Sequence, residues 1–169
     1  VTCLTAQNPG SFSCLEPTTS RFVEDQLGSV LGSLKVKSIK TGMLYSRLII
    51  EVVAKHLVRL RGRQLVVDPV MISSTGAPLI KPSAMKALVK SLLPLAKLIT
   101  PNLEEASTLA KKPVLGPDDM REAARIIFAK FGCAVLVKGG HLKISEAIDL
   151  FYDGKKELLL SSPRIKRVS

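Results

Sequence analysis

The chain has 169 residues, of which 46% are hydrophobic, and its formal net charge is +11. This length suits one domain with a real core, so we expect a single domain over residues 1–169. No apolar stretch approaches the roughly 18 residues of a membrane helix, so we expect no membrane partner. Three cysteines without a CxxC pair favour reduced thiols in an intracellular, cytoplasmic protein. Two histidines are too few for a zinc site of the usual spacing, and aromatic residues at 4% disfavour nucleic acid as the partner of the positive charge.

Short apolar runs alternate with amphipathic stripes along the chain. The runs predict strands over residues 3–6, 38–40, 65–67, 98–99 and 134–137. The stripes predict helices over 23–34, 49–60, about 83–93, from 103 onward, and 120–131. This β-α-β-α order is typical of a parallel sheet with helices on its faces. Two further strands, 147–152 and 157–161, flank Asp153-Gly154, which predicts a C-terminal β-hairpin.

Polar residues or glycines follow each of the five predicted parallel strands. The carboxyl ends of parallel strands lie at one edge of a sheet, where ligands bind in open α/β folds. We therefore expect one composite binding site. The segments that would form it are, in chain order, Gln7-Asn8, Thr41-Gly42-Met43, Asp68-Pro69-Val70, Thr100-Pro101-Asn102 and Lys138-Gly139-Gly140-His141.

Two of these residues suit an aromatic heterocycle. The amide of Gln7 offers a donor and an acceptor to the edge of a ring. Met43 offers a polarisable thioether, and Gly42 beside it allows the backbone to approach a ligand closely. Other interpretations stay open, because Gln7 also suits a turn and Met43 also suits the core.

The remaining strand ends suit phosphate and a cation. Asp68 follows a strand typical of the interior, where an unpaired carboxylate is costly, and magnesium carrying nucleotide phosphates would satisfy it. Lys138 is followed by two glycines, so its positive charge lies beside a flexible loop that could enclose an anion such as phosphate. Asn102 and Glu105 have capping-box spacing, and Glu105 also suits the orientation of magnesium-bound water. A turn cap for Asp68, a helix cap for Asn102 and a surface position for Lys138 are the alternatives.

Taken together, five segments resemble the hydroxymethylpyrimidine phosphate kinases of the ribokinase-like superfamily. They are Thr5-Ala6-Gln7-Asn8, Lys40-Thr41-Gly42-Met43-Leu44, Asp68-Pro69-Val70-Met71, Thr100-Pro101-Asn102-Leu103-Glu104-Glu105-Ala106 and Val137-Lys138-Gly139-Gly140-His141. The resemblance implies a three-layer αβα fold with a mostly parallel sheet. It also implies transfer of the ATP γ-phosphate to hydroxymethylpyrimidine and then to its monophosphate, in thiamine biosynthesis.

The same resemblance implies a role for each candidate residue. Three groups follow: Gln7, Met43 and Val70 for the pyrimidine; Asp68 and Glu105 for magnesium; and Asn102, Lys138, Gly139 and Gly140 for the ATP phosphates. Apart from the resemblance, the hydroxyls and the glycine of residues 73–76 suit a mobile flap.

Two segments of the family have no counterpart in these 169 residues. They are the opening glycine-rich segment, with an aspartate that binds the pyrimidine, and a Gly-Thr-Gly-Cys segment that supplies the catalytic cysteine. Since Cys3, Cys14 and Cys133 match neither context, no catalytic residue is assigned. We expect an incomplete domain without appreciable activity of its own. A pyridoxal kinase, a catalytically dead ligand-binding module and a basic nucleic-acid binder are the alternatives, and a homodimer stays open.

Overall fold

The computed structural model describes residues 1–8, 11–58, 64–71, 79–140, 142 and 145–164. The predicted flap at 73–76 and His141 lie outside the described residues. The chain forms two compact units, Val1–Lys97 and Leu98–Ser169. No helix in the described ranges is long and apolar enough to cross a membrane.

The first unit begins with an antiparallel hairpin of β1 (Cys3–Asn8) and β2 (Ser11–Pro17). Among the described residues, β1 pairs with no strand other than β2. The prediction that residues 3–6 form the first parallel strand is therefore wrong, and Gln7 lies inside a hairpin strand instead of after a sheet strand. Pro9-Gly10 is a strong turn signal in the sequence, and it would have predicted this hairpin.

The rest of the first unit alternates helices with a parallel strand pair. Its elements are α1 (Ser20–Ser33), β3 (Ser38–Thr41), α2 (Arg47–Val58), β4 (Gln64–Val67) and α3 (Pro82–Ala87), which continues as a π-turn (Leu88–Leu92) and a 3₁₀ turn (Leu93–Leu95). β3 and β4 are parallel, with Thr41 opposite Val67.

Apolar spacing explains the helices of this unit. α2 buries one face of its stripe, which packs against α1 and α3, and its buried residues are Ile49, Ile50, Val53, Ala54 and Leu57. α1 starts where the Thr19 hydroxyl accepts the Phe22 N–H at 3.1 Å. Val23 of α1 is buried, but Val30 and Leu34 of the predicted stripe are exposed.

The second unit carries the other parallel pair and a terminal hairpin. Its elements are β5 (Leu98–Ile99), α4 (Leu103–Ala110), α5 (Pro117–Phe131), β6 (Ala134–Lys138), β7 (Glu146–Tyr152) and β8 (Glu157–Pro163). β5 and β6 are parallel, whereas β6–β7 and β7–β8 are antiparallel.

The core of the second unit lies under α5, which packs against β6 and β7. The predicted stripe is confirmed, since Met120, Ala123, Ala124 and Ile127 are fully buried. The predicted hairpin is confirmed too. Its turn contains Gly154 at a φ of +90°, where a Cβ would lie 2.2 Å from the Phe128 ring. Both conditions select glycine. A mixed α/β fold with parallel strand pairs therefore agrees with the sequence prediction.

Candidate functional site

Residues that follow β3 and β4 form the first strand end, which we call the Asp68 end: Gly42, Met43, Asp68 and Val70. The Asp68 N–H donates to the Thr41 carbonyl at 3.0 Å, which extends the β3–β4 pairing by one residue. Lys40 Nζ lies 3.4 Å from Asp68 Oδ2, and the two side chains are 65% and 17% exposed. The carboxylate therefore has a counter-ion within the chain, on the neighbouring strand. We did not predict this pair from the sequence.

A tight turn and an open backbone shape the Asp68 end. The Val70 N–H donates to the Asp68 carbonyl at 2.9 Å across the buried Pro69, and Val70 itself is half-buried. Gly42 is exposed, and a Cβ there would meet nothing within 4 Å. The Met43 carbonyl accepts the Thr2 hydroxyl at 2.7 Å. The space around Gly42 would therefore let a ligand approach its backbone closely.

A cavity of about 380 Å³ lies at the Asp68 end, between β3 and the helices α1 and α2. Thr41, Gly42 and Met43 line it, together with apolar residues of both helices. The Thr41 hydroxyl is buried and has no hydrogen-bond partner among the described residues. Gln7 is exposed in β1 and is not among the described residues that line this cavity. The structure therefore places Met43 at a cavity, but not Gln7.

The second strand end, which we call the Lys138 end, comprises Asn102, Glu105, Lys138, Gly139 and Gly140. Asn102 Oδ1 accepts the Glu105 N–H at 2.9 Å, and Glu105 Oε2 accepts the Asn102 N–H at 2.8 Å. This reciprocal pair is a capping box, which starts α4. Glu105 is only 2% exposed. The cap interpretation of Asn102 and Glu105 is thus observed, and their phosphate and magnesium roles stay predictions.

Backbone pairing brings the ends of β5 and β6 together. The Lys138 N–H donates to the Pro101 carbonyl at 2.8 Å, and Asn102 and Lys138 form a parallel bridge. Asn102, Glu105 and Lys138 therefore share one strand end. Sequence reasoning predicted that these residues lie at the same edge of the sheet, because parallel strands end there, but it did not predict that β5 and β6 are direct neighbours.

The two glycines after Lys138 are not equivalent. The Gly139 N–H donates to Asp149 Oδ1 of β7 at 3.0 Å, and a Cβ on Gly139 would lie 2.2 Å from the Ile148 carbonyl oxygen. Gly140 is exposed, with nothing within 4 Å of its Cβ position. Phosphate binding by either glycine stays a prediction. Close packing explains Gly139 without any ligand, and sequence reasoning missed its partner Asp149.

The cysteines differ in environment, and all three are free thiols. Cys133 lies directly before β6 and is buried, and this burial raises the pKa of its thiol to about 11. A thiol with such a pKa is protonated at neutral pH and is a poor nucleophile. Cys14 is exposed on the first hairpin. The environment of Cys133 therefore agrees with a structural role.

The carboxylates of Asp68 and Glu105 could hold magnesium only together with nucleotide phosphates. No group of three or more His, Cys, Asp or Glu residues that could hold a metal occurs in the described part of the chain. Magnesium bound to nucleotide phosphates needs only one or two protein carboxylates, since phosphate and water oxygens complete its coordination. Asp68 and Glu105 each supply one carboxylate, at the strand end of its own unit, and a magnesium role for either stays a prediction.

Comparison with known proteins decides the family. The sequence model described as phosphomethylpyrimidine kinase matches residues 1–169. The chain belongs to the phosphomethylpyrimidine kinase family. A hydroxymethylpyrimidine/phosphomethylpyrimidine kinase of Rhizobium meliloti is 41% identical over 167 residues, which cover 98% of this chain and 62% of that protein. The chain thus spans less than two thirds of that relative.

Solved structures of family members and their neighbours share the fold. The phosphomethylpyrimidine kinase of Clostridium difficile is 34% identical, with a TM-score of 0.83 over 94% of this chain and 68% of that one. A Bacillus subtilis pyridoxal kinase, solved as an ADP complex, is also 34% identical. Its TM-score is 0.87, and the match covers 99% of this chain and 63% of that chain. These similarities confirm the predicted ribokinase-like α/β fold and the kinase class of the family.

Proposed function

We propose that the protein transfers phosphate from ATP to 4-amino-5-hydroxymethyl-2-methylpyrimidine and then to its monophosphate, as a cytoplasmic step of thiamine biosynthesis. The Lys138 end carries this proposal, because it joins a lysine, a glycine loop and an acidic helix start at two adjacent strand ends. The family match over the whole chain supports it. The fold alone would not, since one fold supports many activities.

In this proposal each strand end has its own task. At the Lys138 end the ammonium of Lys138 binds the transferring phosphate, with Asn102, Gly139 and Gly140 beside it. At the Asp68 end the pyrimidine contacts Met43 and Val70, and Gln7 completes its recognition. Magnesium, when bound with ATP, neutralises phosphate charge, and Asp68 and Glu105 are the residues that would hold it. Such catalysis relies mainly on positioning and charge neutralisation.

Replacing Lys138 tests the proposal. In the complete polypeptide chain, Lys138→Ala should lower kcat by roughly 10²–10³ and leave the pyrimidine KM within about threefold, because its charge matters most as phosphate is transferred. Steady-state kinetics with ATP and hydroxymethylpyrimidine measures both. Lys130→Ala is the control, since Lys130 is an exposed cation in the last turn of α5. A Lys138→Ala enzyme with the kcat of the control would refute the phosphate role.

Pyridoxal phosphorylation is the second candidate function, favoured by the likeness to the Bacillus subtilis pyridoxal kinase. The two functions differ in the preferred substrate. We expect kcat/KM for hydroxymethylpyrimidine to exceed that for pyridoxal by at least about tenfold, the discrimination that one or two specific polar contacts provide. The reverse preference would replace the proposed function with pyridoxal kinase activity.

A further inference from the structure

The loop after Lys138 is held from both strands of the β7–β8 hairpin. From β7, Asp149 accepts the Gly139 N–H at 3.0 Å. Directly after β8, Arg164 donates from Nη2 to the carbonyl oxygens of Gly140, at 3.0 Å, and of Leu142. Within the loop the Leu142 N–H donates to the Gly139 carbonyl at 2.9 Å. A carboxylate thus holds a loop amide, and a guanidinium holds two loop carbonyls.

Close packing holds Gly139 in this loop, whereas Gly140 is held by its hydrogen bond from Arg164. Gly139 is buried, with the Ile148 carbonyl, the Met120 side chain and the Leu142 side chain all close to its Cβ position. Gly140 has open space around it. Hydrogen bonds from a charged donor are stronger than neutral ones. The contact from Arg164 therefore restrains Gly140 where packing does not.

We propose that Arg164 is a positioning residue for ATP, acting through the loop that follows Lys138. Carbonyl oxygens carry partial negative charge, and they repel a phosphate when they face it. By holding the Gly140 and Leu142 carbonyls, Arg164 keeps the loop in one arrangement beside Lys138. The guanidinium suits this task, because its Nη2 carries two hydrogens and donates to both carbonyl oxygens. This inference rests on the proposed ATP site at the Lys138 end.

Three variants of the complete chain test the inference. Arg164→Ala should raise the KM for ATP and the Kd for ADP by about tenfold, the size of a lost charged hydrogen bond, with kcat within about threefold and the pyrimidine KM unchanged. Arg164→Lys should recover part of the nucleotide affinity, since an ammonium also donates. Arg125→Ala is the control: it removes a contact to Glu157 at the other end of β8 and should leave all constants unchanged.

Two results would overturn the inference while the proposed function stands. One is an ADP affinity in Arg164→Ala equal to that of Arg125→Ala, measured by calorimetry, while Lys138→Ala still loses kcat. The other is an equal loss of pyrimidine and ADP affinity in Arg164→Ala without recovery in Arg164→Lys, which indicates a general role in folding. Failure of the proposed function is distinct from both, because Lys138→Ala would then keep its kcat.

Discussion

The two strand ends differ in how their functional side chains are held. At the Asp68 end, the carboxylate is paired with an exposed lysine, and Gly42 faces open space. At the Lys138 end, Asn102 and Glu105 cap each other, and the backbones of Lys138 and Gly139 bond to neighbouring segments. The Lys138 end is therefore built into the hydrogen bonding of its unit. The Asp68 end has backbone hydrogen bonds too, but its carboxylate is paired with an exposed cation on the neighbouring strand.

Because of this difference, substitutions at the two ends should affect stability and ligand binding differently. Groups buried in hydrogen bonds are expensive to disturb, whereas exposed ion pairs contribute on the order of 0–1 kcal/mol. Substitutions at the Lys138 end that remove a buried hydrogen bond or disturb close packing, as at Glu105 and Gly139, should therefore change the free energy of unfolding as well as activity. Those at the Asp68 end should change ligand binding and leave the fold intact.

The largest effect is expected for a methyl group added at Gly139. Gly139→Ala should destabilise the protein by about 3 kcal/mol, because its Cβ would lie 2.2 Å from the Ile148 carbonyl oxygen and that backbone must move. Gly140→Ala is the matched control, with open space around it, and should change stability by less than ~0.5 kcal/mol. Urea unfolding of both variants measures the difference. Equal stabilities would show that the loop backbone yields freely at both positions.

An intermediate effect is expected at Glu105. Glu105→Ala should lower the free energy of unfolding by about 1–2 kcal/mol, since it removes a buried cap, while Glu104→Ala on the exposed first turn should change it by less than ~0.5 kcal/mol. Glu105→Gln keeps an oxygen acceptor for the Asn102 N–H. It should raise the magnesium concentration for half-maximal rate with little loss of stability. If Glu105→Gln kept the magnesium dependence of the wild type, Glu105 would be a helix cap alone.

The smallest effect on stability is expected for Lys40, at the Asp68 end. Lys40→Ala should change the free energy of unfolding by about 0.2–1 kcal/mol, because its ion pair is exposed on the lysine side and screened by salt. Lys55→Ala, which removes a comparably exposed pair with Glu24, is the control. Thermal unfolding at low and high salt measures both. A loss above ~2 kcal/mol for Lys40→Ala would contradict the contrast between the two ends.

Periodicity predicted most of the fold because helices and strands bury regular faces. The stripe of α5 and the Asp153-Gly154 hairpin were predicted from spacing and turn chemistry, and both are confirmed. The first strand was misassigned because an apolar run of four residues fits a hairpin and a sheet strand equally well. The local feature that separates the two is the Pro9-Gly10 turn signal after the run, which predicts the hairpin partner β2 and was not used.

The candidate site was predictable for residues that follow the parallel strands of the sheet. Parallel strands end at one edge, so the sequence placed Asn102 and Lys138 at the same edge, and their direct pairing is seen only in the structure. Contacts made by the antiparallel hairpin were not predicted. Asp149 and Arg164 reach the loop because β7 pairs with β6 and β8 pairs with β7, and these pairings fix their register. A carboxylate and an arginine in such strands carry no local signal.

The buried carboxylate of Glu105 would couple the formation of the first turn of α4 to the binding of a cation. It closes the first turn of α4 through the Asn102 amide. Any cation that attracts this carboxylate acts on the same atoms that begin the helix. Occupancy and helix order are then thermodynamically linked, so saturation with a ligand at Glu105 would raise the melting temperature of the second unit. If magnesium and nucleotide together raise the melting temperature more for the wild type than for Glu105→Ala, the difference would report this linkage without any turnover of substrate.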